Sequence, residues 1–320
     1  MRKPPEGDRQ FDLFADCIYD LPLRDQQHTM ERPFFSLSKS KRVKPIVYTG
    51  RDGEGEVTVK IEAVPAYGMA TIWDADILIW VVSSLIEKRK KYGNDDMPRT
   101  LHFSPYDLLK TLRRGTGGDQ YHRLREALHR LQSTTIETNL RSLDKPRRKT
   151  KRFSWIDSWK EEVETETGRC KKMSICIADW LYEGVHNTNL ILEISPDYFL
   201  LEGGIERWLY RVARKHAAHQ ENGFRLSVDT LFNKSGIEDD EKSNNRRKFK
   251  SRLKKIVMEC NEATEDGFRK LPKFPDYYLE WIDKTEGKGS AIHMTARDRL
   301  APDHPGHQVR PSRSKNRAIE

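Results

Sequence analysis

Cysteine is scarce here and badly spaced for the chemistry it usually signals. The four thiols, Cys17, Cys170, Cys176 and Cys260, include no C-x-x-C pair and have no histidine pair beside them, so neither a zinc site nor a disulfide framework is expected. They read as reduced packing residues. No apolar run approaches the roughly 18 to 20 residues of a membrane helix. The opening Met1-Arg-Lys-Pro-Pro is not followed by a signal-peptide core, so a cytoplasmic protein without membrane contact is expected. A G-x-x-x-x-G-K-[ST] loop is also missing, which argues against a P-loop ATPase. Arg114-Gly-Thr-Gly-Gly-Asp119 has the composition of a phosphate cradle, but it falls between two short helices where a turn is needed anyway. His216-Ala-Ala-His219 places two imidazoles three apart with no carboxylate at ligand spacing, so no metal is expected. Glu238-Asp-Asp-Glu241 reads as acids offsetting the positive end of a helix. Neither a catalytic centre nor a cofactor is expected.

What the chain does have is positive charge. At 320 residues it is long enough for two domains, and its net charge of +9, with 33% charged residues, favours a polyanionic partner. The stretch Glu238 to Val257 concentrates that signal. Phe249, Leu253, Ile256 and Val257 fall on one helical stripe, while Asn244, Arg247, Lys248, Ser251 and Lys255 fall on the opposite face. Amide and guanidinium groups arrayed this way suit phosphates and base edges in a major groove.

Taken in order, residues 1–10 are polar and expected to be disordered. Pro45 to Thr49 and Val57 to Glu62 flank a glycine-rich turn and read as a β-hairpin. A helix opens at Asp74 or Asp76 and ends in the basic run at Lys88. Ser104 and Pro105 then start a short helix, Gly115 to Gly118 make a turn, and a longer helix from Asp119 buries Leu124, Ala127, Leu128 and Leu131. Its outward residues His122, Arg123, Arg125, His129 and Arg130 are candidate DNA contacts. Strands at 134–141 and 152–159 form a hairpin whose loop carries Lys145, Arg147, Arg148, Lys149 and Lys151, a wing suited to the phosphate backbone. Lys171 to Ala178 reads as a third strand of that sheet. A second pass follows: a long helix over 205–220, the stretch Phe224 to Phe232 that echoes Leu101 to Leu109, a turn at Gly236, the basic helix, and strands 276–283 and 290–295. The tryptophans read as core residues, and duplex rather than single-strand binding is expected.

The expected architecture is α+β: two tandem winged-helix domains, each a helix-turn-helix with a β-hairpin wing. The first covers 11–186 and includes the hairpin extension, the second covers 187–296, and 297–320 is a disordered basic tail.

Two runs carry a resemblance. Tyr121-His-Arg-Leu-Arg-Glu-Ala-Leu-His-Arg-Leu-Gln-Ser-Thr-Thr-Ile-Glu-Thr-Asn139 and Arg207-Trp-Leu-Tyr-Arg-Val-Ala-Arg-Lys-His216 resemble the replication initiator protein A family of bacterial plasmids, and the likeness extends from about Asp12 to Thr295. It implies a sequence-specific, duplex-binding plasmid replication initiator that binds direct repeats at an origin and promotes opening of the adjacent duplex. It further implies recruitment of host replication proteins such as initiator and helicase, and repression of its own promoter. The His-apolar-His motif of nicking, rolling-circle initiators is missing. The alternative reading is a homodimeric winged-helix transcriptional regulator on an inverted repeat. A structural or RNA-binding protein ranks behind both.

Overall fold

The computed structural model describes residues 21–308 apart from 54, 93–97, 141–148, 167, 169, 187–189, 240–241, 267–268 and 284–288. The expected disorder over 1–10 lies outside these residues. A short strand, β1 (Arg24–Gln26), runs into one helical turn, α1 (Gln27–Met30). The hairpin read at 45–62 forms as β2 (Ile46–Asp52) and β3 (Gly55–Glu62). In β3 the strand period of two buries Val57, Val59 and Ile61 and turns Thr58, Lys60 and Glu62 outward.

A run of elements then begins that the chain later repeats. α2 (Ala75–Tyr92) is buried all round over its first three turns, where a largely apolar sequence is interrupted by Asp76, Ser83 and Ser84. β4 (Thr100–Phe103) ends at Ser104, whose hydroxyl accepts the amide of Asp107, and with Pro105 at the first helical position α3 (Pro105–Thr111) starts where its capping residues place it. After the glycine turn, α4 (Gly118–Ser133) buries Leu124, Ala127, Leu128 and Leu131. β5 (Thr135–Thr138), β6 (Lys151–Ser154), β7 (Ile156–Val163) and β8 (Cys170–Ile177) follow, and α5 (Asp179–His186) and β9 (Ile191–Glu193) lead out.

The second run is α6 (Gly204–His216), β10 (Phe224–Ser227), α7 (Val228–Ser235), α8 (Asn245–Glu259), the hairpin β11 (Ala263–Asp266) and β12 (Arg269–Pro272), then β13 (Tyr277–Ile282) and β14 (Ala291–Ala296). Element order and sheet order both repeat: β4-β8-β7 in the first run, β10-β14-β13 in the second. Ser227 caps α7 as Ser104 caps α3, accepting the amide of Thr230 at 3.0 Å. Gly236 ends α7 in the left-handed region at φ 69°, and a β-carbon there would lie 2.5 Å from Pro33.

Three expectations need correction. The strand read over 152–159 is two strands belonging to different sheets. Trp155, 1% exposed, donates its amide to Leu131 O at 3.2 Å and stacks on Phe35 at 4.7 Å, which fixes the point where the chain changes sheet. β5 and β6 do pair, but within the sheet β2-β3-β5-β6, so the basic loop does not tip the sheet that carries β4. The hairpin matching β13–β14 is β7–β8, whose outer end carries Glu161, Glu162, Glu164 and Glu166. Secondly, the helix expected over 205–220 ends at His216. Thirdly, residues 297–308 are ordered; 309–320, the rest of the expected tail, lie outside the described residues. Arg297 is 3% exposed and donates to the carbonyls of Phe274, Cys260 and Gly306 and to Asn261, tying residues 297–308 down.

The buried residues of both runs form one continuous core. β9, beyond the expected domain boundary at 186–187, pairs back onto β1. Among the described residues no helix is long and apolar enough to cross a membrane.

Candidate nucleic-acid interface

α8 begins seven residues later than the charged stretch suggested, but its inner face is the expected one: Phe249, Leu253, Ile256 and Val257 are buried. Phe249 packs edge-on to Phe232 at 5.4 Å and against Trp208 at 6.4 Å, anchoring the helix to α7 and α6. Glu238 and Asp239 do not lie in the first turn. They precede the helix, where Glu238 pairs with Lys44 and Asp239 with Arg246 at 2.7 Å. Asn244, at φ 56°, turns the chain into the helix.

The outward face splits by what its charges touch. Asn244, Arg247, Lys248 and Ser251 are exposed, and neither Arg247 nor Lys248 has an ion pair among the described residues. Lys255 is exposed too, with Glu259 one turn on at 3.4 Å. Arg246 is held by Asp229 at 2.8 Å and lies over the Phe232 ring at 4.4 Å, so it braces the helix against α7. Arg252 pairs with Glu206. On the flank facing β13, Lys250 and Lys254 both reach over the ring of Trp281, at 6.0 and 5.9 Å. Trp281, like Trp73 and Trp159, is half-buried and packs against the core. The sequence signal for this cluster was a pair of lysines four apart on the helix flank, with an aromatic on the next long strand.

The α4 candidates divide more sharply. His122 and Arg123 are exposed. Arg125 instead pairs with Glu161 on β7 at 2.8 Å. His129 is stacked on Tyr67 at 4.7 Å and meets Trp159 edge-on at 5.1 Å. Arg130 forms two 2.8 Å hydrogen bonds to Asp74, which is 2% exposed. These last three are committed inside the molecule and leave the set of free DNA contacts. Of the loop candidates, Lys145, Arg147 and Arg148 lie outside the described residues; Lys149 is exposed, and Lys151 pairs with Glu183 at 2.6 Å. His216 bonds Glu31 at 2.8 Å and stacks on Phe224 at 4.8 Å. Among the described residues no group of three or more His, Cys, Asp or Glu side chains is placed to hold a metal.

In both repeated runs a short helix, a turn and a longer helix follow one another, with Arg123 on α4 and Arg247 and Lys248 on α8 exposed and unpaired among the described residues. The Replication initiator protein A family matches residues 24–273. The chain belongs to that family. This replication initiator is 34% identical over 252 residues to a protein of Wigglesworthia glossinidia brevipalpis that carries a replication-protein name, across 78% of this chain and 86% of the relative. Its fold is similar to that of domains 2 and 3 of RctB. One crystal structure matches with a TM-score of 0.57 over 84% of this chain and 96% of that one, at 11% identity. A second matches at 0.53 over 82% and 95%, also at 11% identity. At that identity the likeness is one of fold. The matched span takes in both runs that carried the resemblance, Tyr121 to Asn139 on α4 and β5 and Arg207 to His216 on α6.

Proposed function

We propose that this replication initiator is a tandem winged-helix protein that reads duplex DNA at a plasmid origin. α8 enters one major groove through Asn244, Arg247, Lys248, Ser251 and Lys255, and α4 approaches a second through His122 and Arg123. The carrying observation is the repeated order of capped short helix, turn, longer helix and hairpin, with exposed and unpaired cations kept on the longer helix in each copy. Lys250, Lys254 and Trp281 extend the α8 contact toward the β13–β14 hairpin, where lysines beside a half-exposed ring suit the sugar-phosphate backbone. In the first run Glu161 and Glu164 of the β7–β8 hairpin are already paired with Arg125 and Lys171, and contact with DNA is made through α4 and through Lys149.

On this reading the protein binds direct repeats, promotes opening of the adjacent duplex, recruits host replication proteins such as initiator and helicase, and represses its own promoter. It does so by binding, without a catalytic centre or cofactor of its own. The test is replication of a circle that carries this gene and its flanking DNA and no other origin, scored against a frameshifted copy in a permissive bacterial host. Maintenance that depends on the intact frame is the expected result. Loss of the circle while the intact protein still represses a reporter behind its own upstream DNA would move the assignment to a dimeric regulator.

A further inference from the structure

α6 carries Arg207, Arg211 and Lys215 four residues apart, one stripe of cations about 12 Å long at the helical rise of about 1.5 Å per residue. A stripe of this kind normally faces water. Here Arg207 and Arg211 are 5% and 1% exposed, and each cation meets a different acid contributed by residues 25–76 of the first half of the chain. Arg207 donates to both oxygens of Asp76, at 2.6 and 2.7 Å. Arg211 donates to Asp25 at 2.6 and 3.1 Å. Lys215 meets Glu31 at 2.5 Å. Two contacts lie off that line. Lys234, on α7, shares Glu31, and Arg42 donates to the carbonyl of Gly236 in the turn before α8, at 2.7 Å.

This seam does something an apolar one could not. Grease tolerates sliding and rotation, because any apolar atom can replace another. A buried charge needs an opposite charge or hydrogen-bond partner at its own position, and a shifted register leaves it unpaired in a poorly solvated place. The matched pairs along α6 set its direction and translation. The off-line contacts tie α7, through Lys234, and the turn before α8, through Gly236, to the same first half of the chain. α6 opens the run that carries α8, so the seam sets where α8 stands relative to α4.

We propose that the α6 seam is the ruler of this initiator: Asp25–Arg211, Asp76–Arg207 and Glu31–Lys215 are specificity-determining positioning pairs that select the distance between the two DNA elements contacted by α4 and α8. This rests on the two-helix reading above. The pairs touch no DNA, and their effect falls on spacing alone, leaving base preference at each element unchanged.

The test uses the full chain. Selection from random duplexes defines the wild-type element pair, and affinity is then measured on probes whose spacer is lengthened or shortened by about 2 base pairs, which turns one element by roughly 70° about the duplex. Wild type is expected to lose about tenfold or more on the shifted probes. The double variant Asp25→Asn with Arg211→Met keeps the seam filled while removing the charges of its central pair, and is expected to distinguish the spacings by less than about threefold with both elements still recognised. Glu31→Gln, which leaves the other two pairs in place, is the second variant and is expected to shift the same way; thermal melts confirm folding of each. An undiminished spacing preference in folded variants overturns the ruler. A wild-type protein that selects a single element, or a pair at any spacing, overturns instead the two-helix reading beneath it.

Discussion

At the scale of single residues, the acid behaviour of the protein centres on α1 and the residues just after it. Burial, followed by the charges of Lys215 and Arg32, lowers the pKa of His28 from 6.5 to about 4. Burial alone would raise Glu31, but the hydrogen bond from His216 and the cations Lys215, Arg32 and Lys234 hold its carboxyl well below the usual range. Between pH 6.5 and about 4 the unfolded chain takes up a proton at His28 that the folded chain refuses, so stability should fall by up to about 3 kcal/mol across that window. Glu31 adds a loss only below its unfolded value of 4.5. Urea midpoints at pH 7, 5.5 and 4.5 check this; His28→Gln should flatten the upper part of the profile and leave the acid limb. Two arginines read alike from the sequence separate here. Arg130→Gln removes the partner of buried Asp74 and should cost about 3 kcal/mol of stability while changing the affinity of the folded protein for DNA little. Arg247→Gln should leave the melting curve within about 0.5 kcal/mol of wild type and weaken a preferred site by about 1 to 3 kcal/mol. Paired melts and binding curves decide it, and equal effects of the two substitutions on binding would refute the division.

At the scale of elements, α8 owes its pose to packing rather than to its charges. Phe249, 2% exposed between Phe232 and Trp208, is the anchor, so Phe249→Ala should cost about 3 to 5 kcal/mol and abolish specific binding by loosening the helix. Gly236→Ala should cost about 2 kcal/mol: left-handed backbone is unfavourable for alanine, and the new methyl would press on Pro33. Denaturant melts measure both. The inner stripe of α8, the serine caps of α3 and α7 and the alternation of β3 were all readable from spacing, because each is a local consequence of a 3.6 or 2.0 residue period. The wing was not. Alternation announces that β6 and β7 are strands, and nothing local tells which sheet each will join; Trp155 decides that through Leu131 and Phe35, distant in sequence.

At the scale of the whole molecule, the excess of 58 basic over 49 acidic residues gives a field that attracts polyanions. If about 6 to 10 phosphates are neutralised, affinity should drop by roughly 10³ to 10⁵ between 50 and 200 mM salt. A flat response in a salt titration of binding would rule out this mode of recognition. Charge and length were enough to expect a two-part, polyanion-binding chain, and the runs at Tyr121 and Arg207 were enough to place it beside plasmid initiators. Helical and strand periods, caps and the four scattered cysteines likewise lie wholly in the sequence, since each depends on neighbours a few residues away. Which charges face outward does not. Arg207 finds Asp76 across 131 residues and Arg211 finds Asp25 across 186, and no spacing along one helix can reveal a partner supplied from so far away. Only the tertiary structure could show those cations as the seam between two halves, because a buried charge is assigned by the partner that folding brings to it.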